Sequence, residues 1–133
     1  MRYFSLDEPQ LLTLPSKDWW TNRRRKYNIG LVIAGITAFI CYAILGSYLI
    51  APYDNEFEIT LFTIFFQGVG YLIMMAIANL FYNLGYWADK NFNKDNSEKF
   101  RQRVFSLGFC FSCGLPFLIP MLTIVIYLVE YKK

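Results

Sequence analysis

Charged and neutral residues separate into blocks along this chain. No Asp, Glu, Lys or Arg occurs from Tyr27 to Tyr53 (27 residues), from Ile59 to Ala88 (30) or from Val104 to Val129 (26). Unbroken apolar runs of this length predict transmembrane helices, because a helix rises ~1.5 Å per residue and the hydrocarbon core is ~30 Å thick. Splitting one window into two crossings would take ~40 residues, so three spans is the economical count. No window alternates polar and apolar positions with a period of two, which argues against a β-barrel. Lipid then leaves the α-helix as the form that satisfies its own backbone. The predicted fold class is an all-α integral membrane protein, with three transmembrane helices in a small bundle.

The same blocks set the expected organisation. Residues 1–26 form a cytoplasmic or interfacial segment, 27–53 the first span, 54–58 a short external hairpin loop and 59–88 the second span. Residues 89–103 form a basic cytoplasmic linker with a helix start, 104–129 the third span and 130–133 an external tail. Met1 to Tyr27 carries Asp7, Glu8, Pro9, Pro15 and Asp18 and lacks a compact apolar core, so it does not read as a cleavable signal peptide. Ser16, after Pro15, is the expected N-cap of a helix running through Trp19 and Trp20 into the first span. Asn55 with Glu58, and Asp95 with Glu98, have the spacing of capping boxes for the next two helices. A second helix extended back to Phe57 would measure about 48 Å, so it must tilt, protrude or bend near Gly68 and Gly70.

Composition sharpens this picture. Of 133 residues, 56% are hydrophobic and 20% aromatic, and all 23 charged side chains fall in the 50 residues outside the windows. A conventional soluble enzyme, a disordered chain and a disulfide scaffold are excluded on these grounds. Lys and Arg number 11 across the N-terminal segment and the second linker, against 2 across the first loop and the tail. The positive-inside rule therefore predicts a cytoplasmic N-terminus and a C-terminus on the opposite side. The expected location is a bacterial cytoplasmic (inner) membrane. Trp19, Trp20, Arg23, Arg24, Arg25 and Trp87 fit interfacial anchors, because indoles and cations favour the headgroup layer. The net charge of +3 sits beside span ends, which points to membrane lipids with anionic headgroups and not to nucleic acid.

Four constellations could carry function. Gly30, Ala34, Ala38 and Cys41 recur at helical spacing on the first span, and Ser106, Cys110, Cys113 and Gly114 offer a similar small face on the third. Small residues let helix backbones approach closely in lipid, so both sets are expected helix-packing seams. Gln67, Asn79 and Asn83 place amides on the second span, as interhelical glue or as a polar path. Pro116 and Pro120 remove hydrogen-bond donors from the third helix and predict a kink, static or hinged, with Ser112 placed to help satisfy the disturbed backbone. Cys110-Phe-Ser-Cys113 has the C-x-x-C spacing of thiol chemistry, but its depth disfavours a thiolate and the chain has no second cysteine pair. Zinc would need about four ligands, and three cysteines without a histidine do not supply them. Gly68-Val-Gly70 lacks the strand and third glycine of a dinucleotide loop.

No cofactor, metal site or catalytic set is expected. The leading expectation is a non-enzymatic polytopic protein that acts through helix association, as a homo-oligomer or as a subunit or regulator of another membrane protein. The alternatives are a homo-oligomeric channel or permeabilising protein with Gln67, Asn79 and Asn83 along its path, and a membrane thiol oxidoreductase using Cys110 and Cys113.

Overall fold

A computed structural model describes residues 15–132. Helix α1 (Ser16–Leu45) ends in a π-helical turn, Gly46–Ile50, and α2 covers Leu61–Phe92. Helix α3 (Glu98–Gly114) passes through a 3-10 turn, Leu115–Phe117, into α4 (Leu118–Ile126), which ends in a second π-helical turn, Tyr127–Tyr131. With their terminal turns these elements make three rods, Ser16–Ile50, Leu61–Phe92 and Glu98–Tyr131, each long and apolar enough to cross a membrane. No strand occurs among the described residues.

The helix starts differ from the sequence expectation in an informative way. Ser16 is already helical, and the N-cap position falls to Pro15, whose carbonyl accepts from the N–H groups of Asp18 and Trp19. The Ser16 hydroxyl is drawn away from the helix end because it donates to the carboxylate of Asp89. Helix α2 starts after Thr60, whose hydroxyl accepts from the N–H of Thr63 at 3.2 Å. The Asn55–Glu58 pair lies instead in the connecting loop, where Asp54 accepts from the N–H of Glu56. Helix α3 starts after Ser97, which accepts from the N–H of Phe100, two residues beyond the Asp95 expected as its cap. A hydroxyl next to the first helical residue has won in both places over a carboxylate or amide pair further out. Helix α2 also runs unbroken through Gly68 and Gly70. Its 32 residues give about 48 Å of helix, reached by continuing past Ala88 to Phe92 and not by starting early.

Helices α1 and α2 are antiparallel, and their seam is marked turn by turn. Trp20 meets Asp89, Arg24 meets Asn83, Asn28 meets Asn79, and the Tyr71 hydroxyl donates to the carbonyl of Leu31. Glycine makes this approach possible at Gly35, where an added Cβ would lie 2.2 Å from the Tyr71 ring. Gly30 plays the same part against α3, with an added Cβ 2.4 Å from Phe109.

The core is not spread evenly along the rods. Trp19, Trp20, Tyr27, Leu31, Ala78 and Tyr82 form one buried cluster at the end where the basic residues gather, with Phe105 and Phe109 of α3 packed against it. Most rings meet edge to face or tilted, as between Trp20 and Tyr82 at 5.2 Å and Tyr27 and Tyr82 at 4.7 Å, while Phe105 and Phe109 stack nearly parallel at 5.8 Å, all arrangements that ring quadrupoles allow. Towards the far end α4 packs on α1, burying Ala38, Pro116, Pro120 and Thr123. Tyr53 closes that end against Tyr127 and Tyr131. The stretch of α2 from Leu61 to Gly70 is left without comparable cover: Thr63 and Gln67 are half-buried and the other eight residues are exposed.

Candidate functional site

The basic end is closed by a polar clasp that uses all three rods. Asp89, the last acid on α2, is 2% exposed, and Arg101 on α3 is 1% exposed. The Arg101 Nε donates to Asp89 Oδ2 at 2.9 Å. The same carboxylate accepts from the Ser16 hydroxyl and from the Trp20 indole N–H at 3.0 Å, both on α1. Its other oxygen, Oδ1, accepts from Asn93 Nδ2 at 2.6 Å. Asn93 then folds the turn into α3: its Nδ2 also donates to the Ser97 carbonyl, and its Oδ1 accepts from the Ser97 N–H. Asn96 completes the turn in the left-handed region, at φ 52°, which asparagine tolerates better than most residues. Its side-chain oxygen accepts from Arg101 Nη2. A carboxylate and a guanidinium leave water at a cost of several kcal/mol each, and only such dense hydrogen bonding offsets it.

About three helical turns deeper, eleven residues from Asp89 on α2 and from Arg101 on α3, lies a second three-rod junction. The Tyr27 hydroxyl donates 2.7 Å to the Ala78 carbonyl of α2 and lies 2.6 Å from Ser112 Oγ of α3. A phenol has one proton, so the Ser112 hydroxyl supplies the second. Ser112 thus serves the tyrosine, where the sequence suggested the backbone before Pro116.

The residues singled out in the sequence scatter over three environments. Trp19 and Trp20 read as headgroup anchors, yet their rings are 0% and 3% exposed in the core. Tertiary packing against Tyr82 and Phe105 has taken them from the interface. Arg23 covers that core from outside, its guanidinium 4.2 Å from the Trp19 ring centre. Arg24 and Arg25 are exposed, and Trp87 is exposed beside Phe92. On α1, Ala38 is buried and Gly30, Ala34 and Cys41 are half-buried. On α3, Cys113 is half-buried, but Ser106, Cys110 and Gly114 face outward. The third rod packs inside the protomer mainly through Arg101, Phe105, Phe109, Ser112 and Pro116, with Cys113 the one member of the expected small face that joins the core.

The three amides do not form one row. Asn79 Nδ2 donates to Asn28 Oδ1 at 3.0 Å and to the Met75 carbonyl, and Asn83 accepts from Arg24. Gln67 takes part in no described hydrogen bond, and its place twelve residues before Asn79 turns it about 120° round the helix. Pro116 sits in the 3-10 turn and Pro120 in α4, both buried. The three cysteines are free thiols. Among the described residues, no group of three or more His, Cys, Asp or Glu side chains is gathered as a metal site.

Asp89, Arg101, Tyr27, Tyr71 and Asn28 are organising residues that the sequence reading passed over, and Tyr82, which reads as part of an interfacial aromatic belt, is buried in the core instead. A signal existed for two of them: Asp89 directly follows the second charge-free window, and Arg101 lies three residues before the third begins at Val104. Compared with protein-family models, curated proteins and solved structures, the chain matches none.

Proposed function

We propose that this protein is a non-enzymatic helical membrane protein that works by helix association, as a homo-oligomer or as a subunit or regulator of a membrane complex. The outer half of α2, Leu61 to Gly70, is the association face. The observation that carries this reading is Gln67. It lies six residues into α2, about 9 Å along the axis, and finds no partner among the described hydrogen bonds. An amide at membrane depth normally bonds across helices. Gly68 beside it has open space, with nothing within 4 Å of an added Cβ, so a second helix can approach the backbone closely there. The basic end of the protomer is already closed by its clasp and aromatic core, which leaves this half of α2 as the surface still to be covered.

Mass measurement of the full chain in lipid nanodiscs tests the proposal. The expected result is an assembly larger than one chain, or a stably co-purifying membrane protein, that Gln67→Leu dissociates while leaving helix content unchanged. A monomer in lipid at every concentration, with no neighbour captured by crosslinking from residue 67, would overturn it.

A further inference from the structure

We propose that the groove between α1 and α2 at the basic end binds the phosphate of an anionic phospholipid. The groove is about 250 Å³ and is lined by Lys17, Trp20, Thr21, Arg24, Tyr82, Asn83 and Tyr86. Its α1 residues repeat at three and four positions, so Lys17, Thr21 and Arg24 stand one above another on one side of the helix. Two cations line it and no carboxylate does. The nearest acid on the seam, Asp89, is buried with Arg101 and the Trp20 indole on its oxygens.

The hydrogen-bond directions leave donors facing the space. Arg24 is held in place by the Asn83 side-chain oxygen and by the Tyr82 ring, whose centre lies 5.3 Å from its guanidinium carbon. Only Nη2 of Arg24 is used in the bond to Asn83, so the remaining guanidinium N–H groups can form the fork that matches a phosphate. Because the Asn83 oxygen is committed to Arg24, its amide nitrogen stays available to donate. The Lys17 ammonium and the Tyr86 hydroxyl take part in no described hydrogen bond and complete the donor set.

Height along the bundle chooses a lipid over a free anion. Arg24 lies one turn before the first charge-free window begins at Tyr27, and Asn83 and Tyr86 lie in the last turns of the second. A phosphate here is at headgroup depth. The exposed side chains of Ile29 and Val32 follow on α1, so an acyl chain leaving the groove meets apolar surface. The site lies at the other end of α2 from Gln67, and the two proposals stand or fall separately.

The test uses the full chain in nanodiscs of phosphatidylcholine doped with phosphatidylglycerol, followed by native mass spectrometry of the lipid retained on release. Phosphatidylglycerol is expected to be enriched over its bulk share, and Lys17→Gln combined with Arg24→Gln should reduce its binding about thirtyfold, enough to abolish the enrichment. Lys26→Gln, which removes a charge from the opposite side of α1, should leave it unchanged. Should Arg24→Gln perturb folding, Lys17→Gln alone, at an exposed side chain, is expected to lower retention about fivefold. Equal losses in the Lys26 and groove variants would reduce the effect to general surface charge and overturn the proposal. Absence of enrichment, or displacement of the lipid by inorganic phosphate, would overturn it as well.

Discussion

Asp89 shows how much of this molecule depends on single polar side chains. Its two oxygens gather a serine and an indole from α1, an amide from its own helix and a guanidinium from α3. Removing its charge strands Arg101, which is 1% exposed, and breaking one side of a buried pair costs about 3–5 kcal/mol. Asp89→Asn is therefore expected to lower stability by about 3 kcal/mol, read as the midpoint of unfolding in a denaturing-detergent titration followed by circular dichroism. Exchanging both partners, Asp89→Leu with Arg101→Met, should cost less than the single change, because no uncompensated charge remains. A single variant as stable as the parent would show that the clasp carries no weight. The sequence places Asp89 and Arg101 close to the ends of charge-free windows but does not show that they pair, because both also read as charges in a polar linker. Their burial is decided by Ser16 and Trp20, some seventy residues earlier in the chain, and no local pattern records that meeting.

At the scale of the helix, close packing comes from glycine on one rod receiving an aromatic ring from another. Gly30 takes Phe109 and Gly35 takes Tyr71, and Gly46 at the end of the first rod takes the Phe57 ring from the connecting loop in the same way. Spacing alone identified Gly30 and Ala38 on α1, because that helix presents the small partner. Applied to α3 it selected Ser106, Cys110, Cys113 and Gly114, of which Cys113 packs against the core while the other three face outward, since α3 contributes mostly large partners. A rule for small residues meeting small residues cannot find a seam built from rings in hollows. The three apolar rods themselves were legible, because crossing length and charge exclusion are local properties of the chain. A paired substitution separates the two glycine environments. Gly30→Ala places a methyl 2.4 Å from Phe109, and such overpacking is expected to cost about 1–3 kcal/mol. Gly68→Ala meets open space, so only helix propensity acts on the protomer and stability should rise by up to about 1 kcal/mol. Thermal unfolding of both variants in one detergent measures the contrast, and equal shifts would rule out the close seam.

Over the whole molecule, charge is split between two tasks. Arg101 is neutralised inside the clasp and Arg23 lies over the Trp19 ring, whereas Lys17, Arg24, Lys26, Lys90 and Lys94 remain exposed around the same end. In the sequence count, taking Arg101 out leaves 10 Lys and Arg in the N-terminal segment and second linker against 2 in the first loop and tail, so the bias behind the predicted orientation survives the burial of one of its members. The rim that remains suits the cytoplasmic leaflet, whose anionic lipids attract about 1 kcal/mol per nearby cation. Orientation can be measured without any assumption about function. In a background carrying Cys41→Ala, Cys110→Ala and Cys113→Ala, a cysteine at exposed Asn55 reports the α1–α2 loop, and one at exposed Lys94 reports the α2–α3 turn. A membrane-impermeant maleimide on intact cells is expected to label Asn55→Cys and to reach Lys94→Cys only after permeabilisation. The reverse pattern would place the basic rim outside, and binding at the groove would then have to draw on the less anionic leaflet. Lipid retention in nanodiscs is blind to sidedness, so the labelling result decides which leaflet supplies the groove, and the nanodisc result decides whether the groove takes a lipid at all.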